Sequence, residues 1–474
     1  MRETPEAEKT AVLFAATLAS FLTPFMGSSV NIALPAIGGE FSMDAVALGW
    51  VATSYLLSAA VFLVPFGRAA DIYGRKRFFR WGVVIFTASS LLSAISSSAA
   101  LLISFRVVQG LGGAMIFGTS VAIVTSVYPP GERGRALGIN VASVYLGLSL
   151  GPLLGGILTQ SLGWRSVFLA SVLPGLLVIP VVVLRVEGEW AEARGEGLDV
   201  PGSVFYGLGI TALMCGLSAL PGPSGAGLVL LGALGVAAFA LLEFRSKSPV
   251  LDIRLFVRNP VFLLSNLAAL INYSATFAVT FLLSLYLQYI GGLDPRSAGL
   301  VLMAQPVTMA ALSPLAGRLS DRIEPRIIAS AGMAVTAGGL LPFTLLSEGT
   351  RPEFIATGLI VIGTGLALFS SPNTNAVMGS VERRHYGVAS STLGTMRLVG
   401  QMLSMGIAML IIATCVGKVE ILPERHPALL SAVRTGFAVF SALCFGGVFA
   451  SLAGCSARRG TSSPPAKPFK PAGD

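Results

Sequence analysis

Charge is what this 474-residue chain has least of. Asp, Glu, Lys and Arg make up 12% of it, against 54% hydrophobic residues and a mean hydropathy of +0.78. Soluble domains carry roughly 25% charged residues, so the composition places the chain among membrane proteins. Cysteine is scarce as well. Cys215, Cys415, Cys444 and Cys455 lie within or at the ends of apolar segments and none forms a CxxC pair, so neither a metal site nor a disulfide framework is indicated. The two histidines, His385 and His426, fall in polar connections. There is no G-x-x-x-x-G-K-[ST] phosphate loop, which argues against ATP hydrolysis by this chain, and no connection is long enough for a soluble domain. None of the 23 acids falls in the middle of an apolar run; only Glu243, at the end of one, comes near.

What is present is apolar length. A spanning helix needs about 20 mostly apolar residues, and the runs between charges and turn residues yield fourteen candidates, the first at 11–37 and the last at 431–455. The first is too long for a cleaved signal and reads as an uncleaved span. The seventh (201–220) and eighth (225–243) are the least regular, being interrupted at Pro221–Gly222–Pro223. With the N-terminus inside, 24 Lys and Arg fall in inside segments, six in outside connections, and two, Arg106 and Arg397, within apolar segments. That asymmetry predicts cytoplasmic N- and C-termini and an even span count. The net charge of +9 therefore reflects topology and not a nucleic-acid partner. The division expected is a tail over 1–10, a six-helix bundle over 11–186, a linker with two extra helices over 187–260, a second bundle over 261–456, and a disordered tail over 457–474.

Several patterns carry chemistry. The charged turn Gly67–Arg77, GRAADIYGRKR, stands between two apolar runs; its Gly67, Arg68 and Asp71 recur 250 residues later as Gly317, Arg318 and Asp321, followed by Arg322. A repeated basic loop in such a chain points to an internally duplicated transporter. In the fourth span Arg106 sits inside an apolar segment with Gln109 and Gly110 on its face. A charge there costs about 2.5–3.5 kcal/mol on insertion scales, so it is either functional or a structural arginine bonded to carbonyls. In the fifth span Gly147, Gly151 and Gly155 share one face, next to Pro152 and Gly156. They form a tight packing seam, or one that also bends.

These residues resemble the major facilitator superfamily. The charged turn is similar to its motif A, the Arg106 segment to motif B, and the fifth-span glycines to motif C, the antiporter signature. Fourteen spans narrow the resemblance to the drug–proton antiporter branch typified by EmrB and QacA. Trp50, Thr53 and Tyr55, then Trp164–Arg165, Asp252–Phe256, Tyr286–Gln288 and Arg397 agree in order along the chain. The resemblance implies an all-α polytopic fold, two six-helix bundles about a central cavity with two helices inserted between them. It also implies a transporter and not an enzyme, acting by alternating access in the cell membrane of a prokaryote. It would have no cofactor beyond a coupled proton, function as a monomer in the bilayer, and possess an envelope adaptor only as an optional partner. Motif A would be a cytoplasmic gate. Asp71 would accept hydrogen bonds from a helix N-terminus of the other bundle, Arg75, Lys76 and Arg77 would supply the basic side with Arg75 and Lys76 in ion pairs, and Gly67 and Gly74 would allow close approach.

One departure stands out. The aspartate of the family's first-span L-D-x-T is Met26 here, although the downstream Asn31 and Pro35 are kept. A tunable proton carrier in the cavity is therefore missing, leaving Asp71 or Asp44 as less central options. With Arg106 and Arg397 present, the cavity is neutral to positive, which favours neutral, zwitterionic or anionic amphiphiles over dications. Candidate polar lining is Asn31, Tyr55, Gln109, Asn272, Tyr273, Gln288, Gln305 and Asn373. The leading expectation is a multidrug exporter of lipophilic compounds. The alternatives are an exporter of one neutral, lipid-like or anionic metabolite with different or no proton coupling, and a non-transporting receptor whose gating motifs are inert.

Overall fold

The computed structural model describes residues 5–246, 251, 253–382 and 386–459. Asp252, His385, Lys247, Arg383, Arg384, the first four residues and the tail from 460 lie outside the described residues, and so does the side chain of Cys455. Fourteen long helices run in succession: α1 (Glu6–Phe41), α2 (Ala45–Tyr73), α3 (Arg75–Ala94), α4 (Ala99–Val127), α5 (Pro130–Leu162), α6 (Arg165–Arg185), α7 (Val200–Ala219), α8 (Pro223–Arg245), α9 (Pro260–Ile290), α10 (Pro295–Ser320), α11 (Pro325–Leu345), α12 (Pro352–Gly379), α13 (Tyr386–Cys415) and α14 (His426–Arg459). A six-residue turn of helix, Ile253–Arg258, precedes α9. Among the described residues there is no strand.

Thirteen of these helices are long and apolar enough to cross a membrane. The exception is α3, whose first turn is Arg75–Lys76–Arg77 and whose last turns are rich in serine. Its length, 20 residues, equals that of α7. Helix starts are set by local chemistry. Asp44, Ser98, Asp199, Asn259 and Asp294 accept backbone N–H groups at the first turns of α2, α4, α7, α9 and α10. Proline opens α5, α7, α8 and α9 to α12, where its missing donor costs nothing.

Helices α1–α6 form one half and α9–α14 the other. Within the first, α1 packs along α5, and α4 lies against α2 and α3. In the second, α12 packs against α10 and α11, and α14 against α9 and α11. The pair α7–α8 is drawn together by glycines, with Gly209 and Gly216 of α7 against the α8 backbone around Gly225, Val229 and Gly232. It docks beside the junction of the halves. The Tyr206 hydroxyl donates to the Ala60 carbonyl of α2 at 2.9 Å, and Met214 fills the space over Gly406 of α13. Most of α8 is left uncovered by protein, as a lipid-facing helix would be.

Candidate functional site

The start of α1, the end of α14 and the Gly67–Arg77 turn share one end of the helices; the turns at 42–44, 291–294 and 416–422 lie at the other. At this second, non-basic end the halves are joined. Pro35 has no N–H to give the carbonyl of Asn31, the residue four positions before it. The hydroxyl of Ser284 in α9 supplies that bond at 2.7 Å, and Gln288 Nε2 donates to the next carbonyl, Ile32, at 3.1 Å. Here α9 ends in a π-helical turn, Tyr286–Ile290, a form common at functional positions. Nearby, the Ala45 N–H donates to the Val419 carbonyl at 3.0 Å, and Met409 packs over Gly49.

The glycines of α5 make the rest of this closure. Gly147 faces the Phe21 carbonyl, Gly151 faces Ser28, and Gly155 faces Ser29. A Cβ on any of them would collide with α1. The Ser29 hydroxyl donates to the Gly151 carbonyl at 2.9 Å. Gly156 turns to the other half, where a Cβ would collide with the Pro295 carbonyl, while Gly299 of α10 is pressed as closely to the Pro152 carbonyl. One seam thus packs α1 on α5, and its end seals α5 to α10.

The charged turn at the basic end is organised differently. Asp71 Oδ1 accepts from Arg75 Nε at 2.7 Å, within its own loop. Arg75 grips Glu192 with two parallel bonds of 2.9 and 3.0 Å and donates to Ser126 Oγ at 3.0 Å. The Lys76 backbone N–H donates to Glu189 at 2.9 Å, its ammonium to the Val186 carbonyl, and Arg68 pairs with Glu196 at 2.5 Å. The segment after α6 therefore lies over this turn. It is also tied by the Ala193 N–H to the Asp71 carbonyl and by the Arg75 N–H to the Trp190 carbonyl. Gly74 has φ 118° and Glu189 packed against its Cα, so no side chain fits. The Asp71 carboxylate is held inside its own half in this conformation and does not reach across. Gly67 lies against Gly118 of α4, and Arg77 is exposed. The second copy is weaker. Position 325, which matches Arg75, is a proline, and Asp321 and Arg322 are exposed at the end of α10, with Gly317 against Ser371 of α12.

Two arginines lie deep in the helices. Arg106 is 1% exposed. Its Nε donates to the Val51 carbonyl at 2.9 Å and its Nη1 to Gln109 Oε1 at 2.5 Å, and Gln109 passes the bond on to Ser90 at 2.6 Å. Its guanidinium lies 4.6 Å from the Tyr55 ring centroid and 6.0 Å from that of Phe168. Gly110, under the Tyr55 carbonyl, lets α2 and α4 approach. Arg397 of α13 is half-buried, 5.1 Å from the Tyr273 ring centroid, and its Nε has no hydrogen-bond partner.

Residues 16–405 match the Major Facilitator Superfamily. The chain belongs to this superfamily. The multidrug resistance protein Stp of Mycobacterium tuberculosis (strain CDC 1551 / Oshkosh) is 33% identical over 403 residues, 83% of this chain and 74% of that protein. The riboflavin transporter RibZ of Clostridioides difficile (strain 630) is 29% identical over 393 residues, 82% of this chain and 85% of that one. A bacterial homologue of the human lysosomal transporter Spinster, solved inward-facing and unoccupied, superposes with a TM-score of 0.72 at 18% identity, covering 97% of this chain and all of that one. That likeness is one of fold. The protein is thus a polytopic membrane transporter of the major facilitator fold.

The polar lining expected from the sequence is only partly assembled. Tyr55 is committed to Arg106, and Gln288 and Asn31 to the closure, although Asn31 Oδ1 is unpartnered. Tyr273 and Arg397 meet. Asn373 is buried in α12, and Gln305 of α10 faces Gly363 with Oε1 unpartnered. Asn272 is completely buried with neither amide atom bonded. Met26 is wholly buried in the apolar core. Asp44 caps α2 through its carboxylate, accepting from Val46 and Ala47. Sequence reasoning missed Ser284, Ser370 and Ser404. Ser404 Oγ accepts the Ala278 N–H at 3.0 Å where α9 breaks at Phe277. Each is one small hydroxyl among many, and only its partner distinguishes it.

Proposed function

We propose that this chain exports lipophilic and amphiphilic compounds by alternating access, as a fourteen-span, secondary active efflux transporter with its basic end in the cytoplasm. The observation that carries this is the unequal treatment of the two ends. The halves are hydrogen-bonded and interlocked at the non-basic end, while the charged turn at the basic end is bonded within its own half. With basic connections inside, we read a state bonded across the halves at its outer end as one of the two that alternating access requires. Motif A is then the gate at the basic end and the Gly156–Pro295 seam the gate at the other end. The names of the relatives, a multidrug resistance protein and a riboflavin transporter, support organic cargo. In inverted membrane vesicles, energised accumulation of a fluorescent amphiphile, lost in Asp71→Asn and Gly156→Leu variants that still insert, is the expected result. Equal accumulation by wild type and both variants would refute it.

A second reading is favoured by one observation. Among the described residues every carboxylate in the long helices lies near a helix end, and Met26 occupies an apolar core site. The substrate is then a neutral or anionic compound, and proton coupling follows a different route or none. Substrate addition to proteoliposomes should leave internal pH unchanged while transport proceeds. A stoichiometric pH change would support antiport instead.

A further inference from the structure

We propose that Arg397 and Tyr273 form a binding site for aromatic anions, a planar ring carrying a carboxylate, sulfonate or phosphate. This rests on the export reading and names a class of cargo. The site begins with an imbalance between two arginines. Arg106 is consumed by a carbonyl, an amide and two rings. Arg397 is not. No described carboxylate lies within ion-pair distance of it, its Nε has no acceptor, and its one close partner is the face of Tyr273. A guanidinium presents a planar fork of donors that fits the two oxygens of an anion.

Tyr273 is fixed from two further sides. Its ring meets Phe369 edge-on, with centroids 6.5 Å apart at 77°, and its hydroxyl lies 3.3 Å from Ser370 Oγ. It therefore offers a rigid aromatic shelf beside the cation. Access is consistent with this. Arg397 and Tyr273 both retain solvent exposure, although each lies well inside its helix. Gly394, one turn from Arg397 towards the basic end, faces Phe117 and Leu63 of the other half, so this stretch of α13 borders the junction between halves. The preceding residue of α9, Asn272, is fully buried with both amide atoms unbonded. A ligand whose anion meets Arg397 and whose ring lies along Tyr273 would use donors the protein leaves idle. A cation would meet only like charge there.

The test uses the full chain, purified in detergent and in proteoliposomes, with carboxyfluorescein as the aromatic anion, ethidium as the cation and Nile red as the neutral dye. Fluorescence anisotropy should show carboxyfluorescein bound by wild type, and binding weakened about tenfold or more by Arg397→Gln, the loss of a charge-assisted bond. Arg397→Lys should lose less, Tyr273→Leu should weaken binding, and Tyr273→Phe should retain it. Nile red should be unaffected by Arg397→Gln. Equal carboxyfluorescein binding by Arg397→Gln would overturn the proposal. So would equal weakening of all dyes, which marks a structural role, as would a melting temperature showing that neither Arg397 variant folds while Tyr273→Leu binds normally. Transport of Nile red or ethidium without carboxyfluorescein binding sinks the site and leaves export standing. Carboxyfluorescein binding that depends on Arg397, without transport of any dye, sinks export and leaves the site.

Discussion

The Ser284 hydroxyl donates to the Asn31 carbonyl at 2.7 Å, and that carbonyl is available because Pro35 cannot donate to it. One half of the molecule thereby closes a gap in the backbone of the other. Ser284→Ala should leave this buried carbonyl unpaired and weaken the closed, non-basic end by about 0.6 kcal/mol, the average for hydrogen bonds between membrane helices. A cysteine placed at the Ser297 position should then react faster with a membrane-impermeant maleimide added from the non-basic side. An unchanged labelling rate would show that the bond does not hold the closure.

Gly156→Ala tests the same closure sterically. Its Cβ would meet the Pro295 carbonyl, which is backbone and cannot swing aside. Overpacking of this kind costs about 1–3 kcal/mol, and here it falls only on the closed state. Transport should slow and non-basic-end labelling should rise. Gly138→Ala, in the same helix with open space around it, should transport like wild type. If both variants behave alike, close contact at Gly156 is not what matters.

Arg106→Ala should destabilise the protein in detergent by about 1–3 kcal/mol, since the Val51 carbonyl and Gln109 are left buried with lost partners. Removing Arg397 should cost less than removing Arg106, because it leaves no protein acceptor unsatisfied. The comparison is one thermal melt per variant. A larger loss for Arg397→Ala would reverse the assignment of Arg106 as the structural arginine.

Asp294, between α9 and α10, is held below the usual carboxylate range by the backbone N–H of Ser297 and then by the Ser297 hydroxyl. A depressed folded value contributes stability that is present above the unfolded pKa, about 4, and is lost as pH falls through the folded one. Asp294→Ala should lose the cap, about 1 kcal/mol, and loosen the turn that carries Pro295. Asp294→Asn should keep most of the cap while removing that share of the acid sensitivity. Melting curves from neutral pH down to pH 3 on the three proteins decide it. A pH dependence unaltered in Asp294→Asn would refute the account.

Much of the architecture was legible in advance. The helices follow from apolar length. Their starts follow from Pro, Asp, Asn and Ser at first turns. α3 shows where composition and structure part. The basic Arg75–Arg77 turn and the serines dilute its hydropathy below that of the other thirteen helices, yet it is as long as α7 and packs within the first half. The α5 glycines were readable as a seam because their four-residue spacing puts them on one face. That Gly156 leaves this face to meet Pro295 was not, since only the placement of α10 supplies the partner.

The candidate site was less legible. Arg106 and Arg397 look alike in the sequence, each a lone cation in an apolar run, and both were candidates for the cavity. Only packing separates a guanidinium surrounded by acceptors from one whose close partner is a ring. Asp71 was expected to reach the other half, but its carboxylate is taken by Arg75 four residues on. The acidic segment from Glu187 to Glu196 then covers the loop, a pairing across a hundred residues that no local pattern records.

The sequence by itself determined the membrane class, the helices, the basic end and the duplicated loop, because burying charge in lipid is costly and that cost is counted residue by residue. Tertiary structure alone decided which end is closed, which arginine is spent and which carbonyl Ser284 completes. Those are properties of pairs brought together from distant parts of the chain, and their energies exist only once the helices are packed.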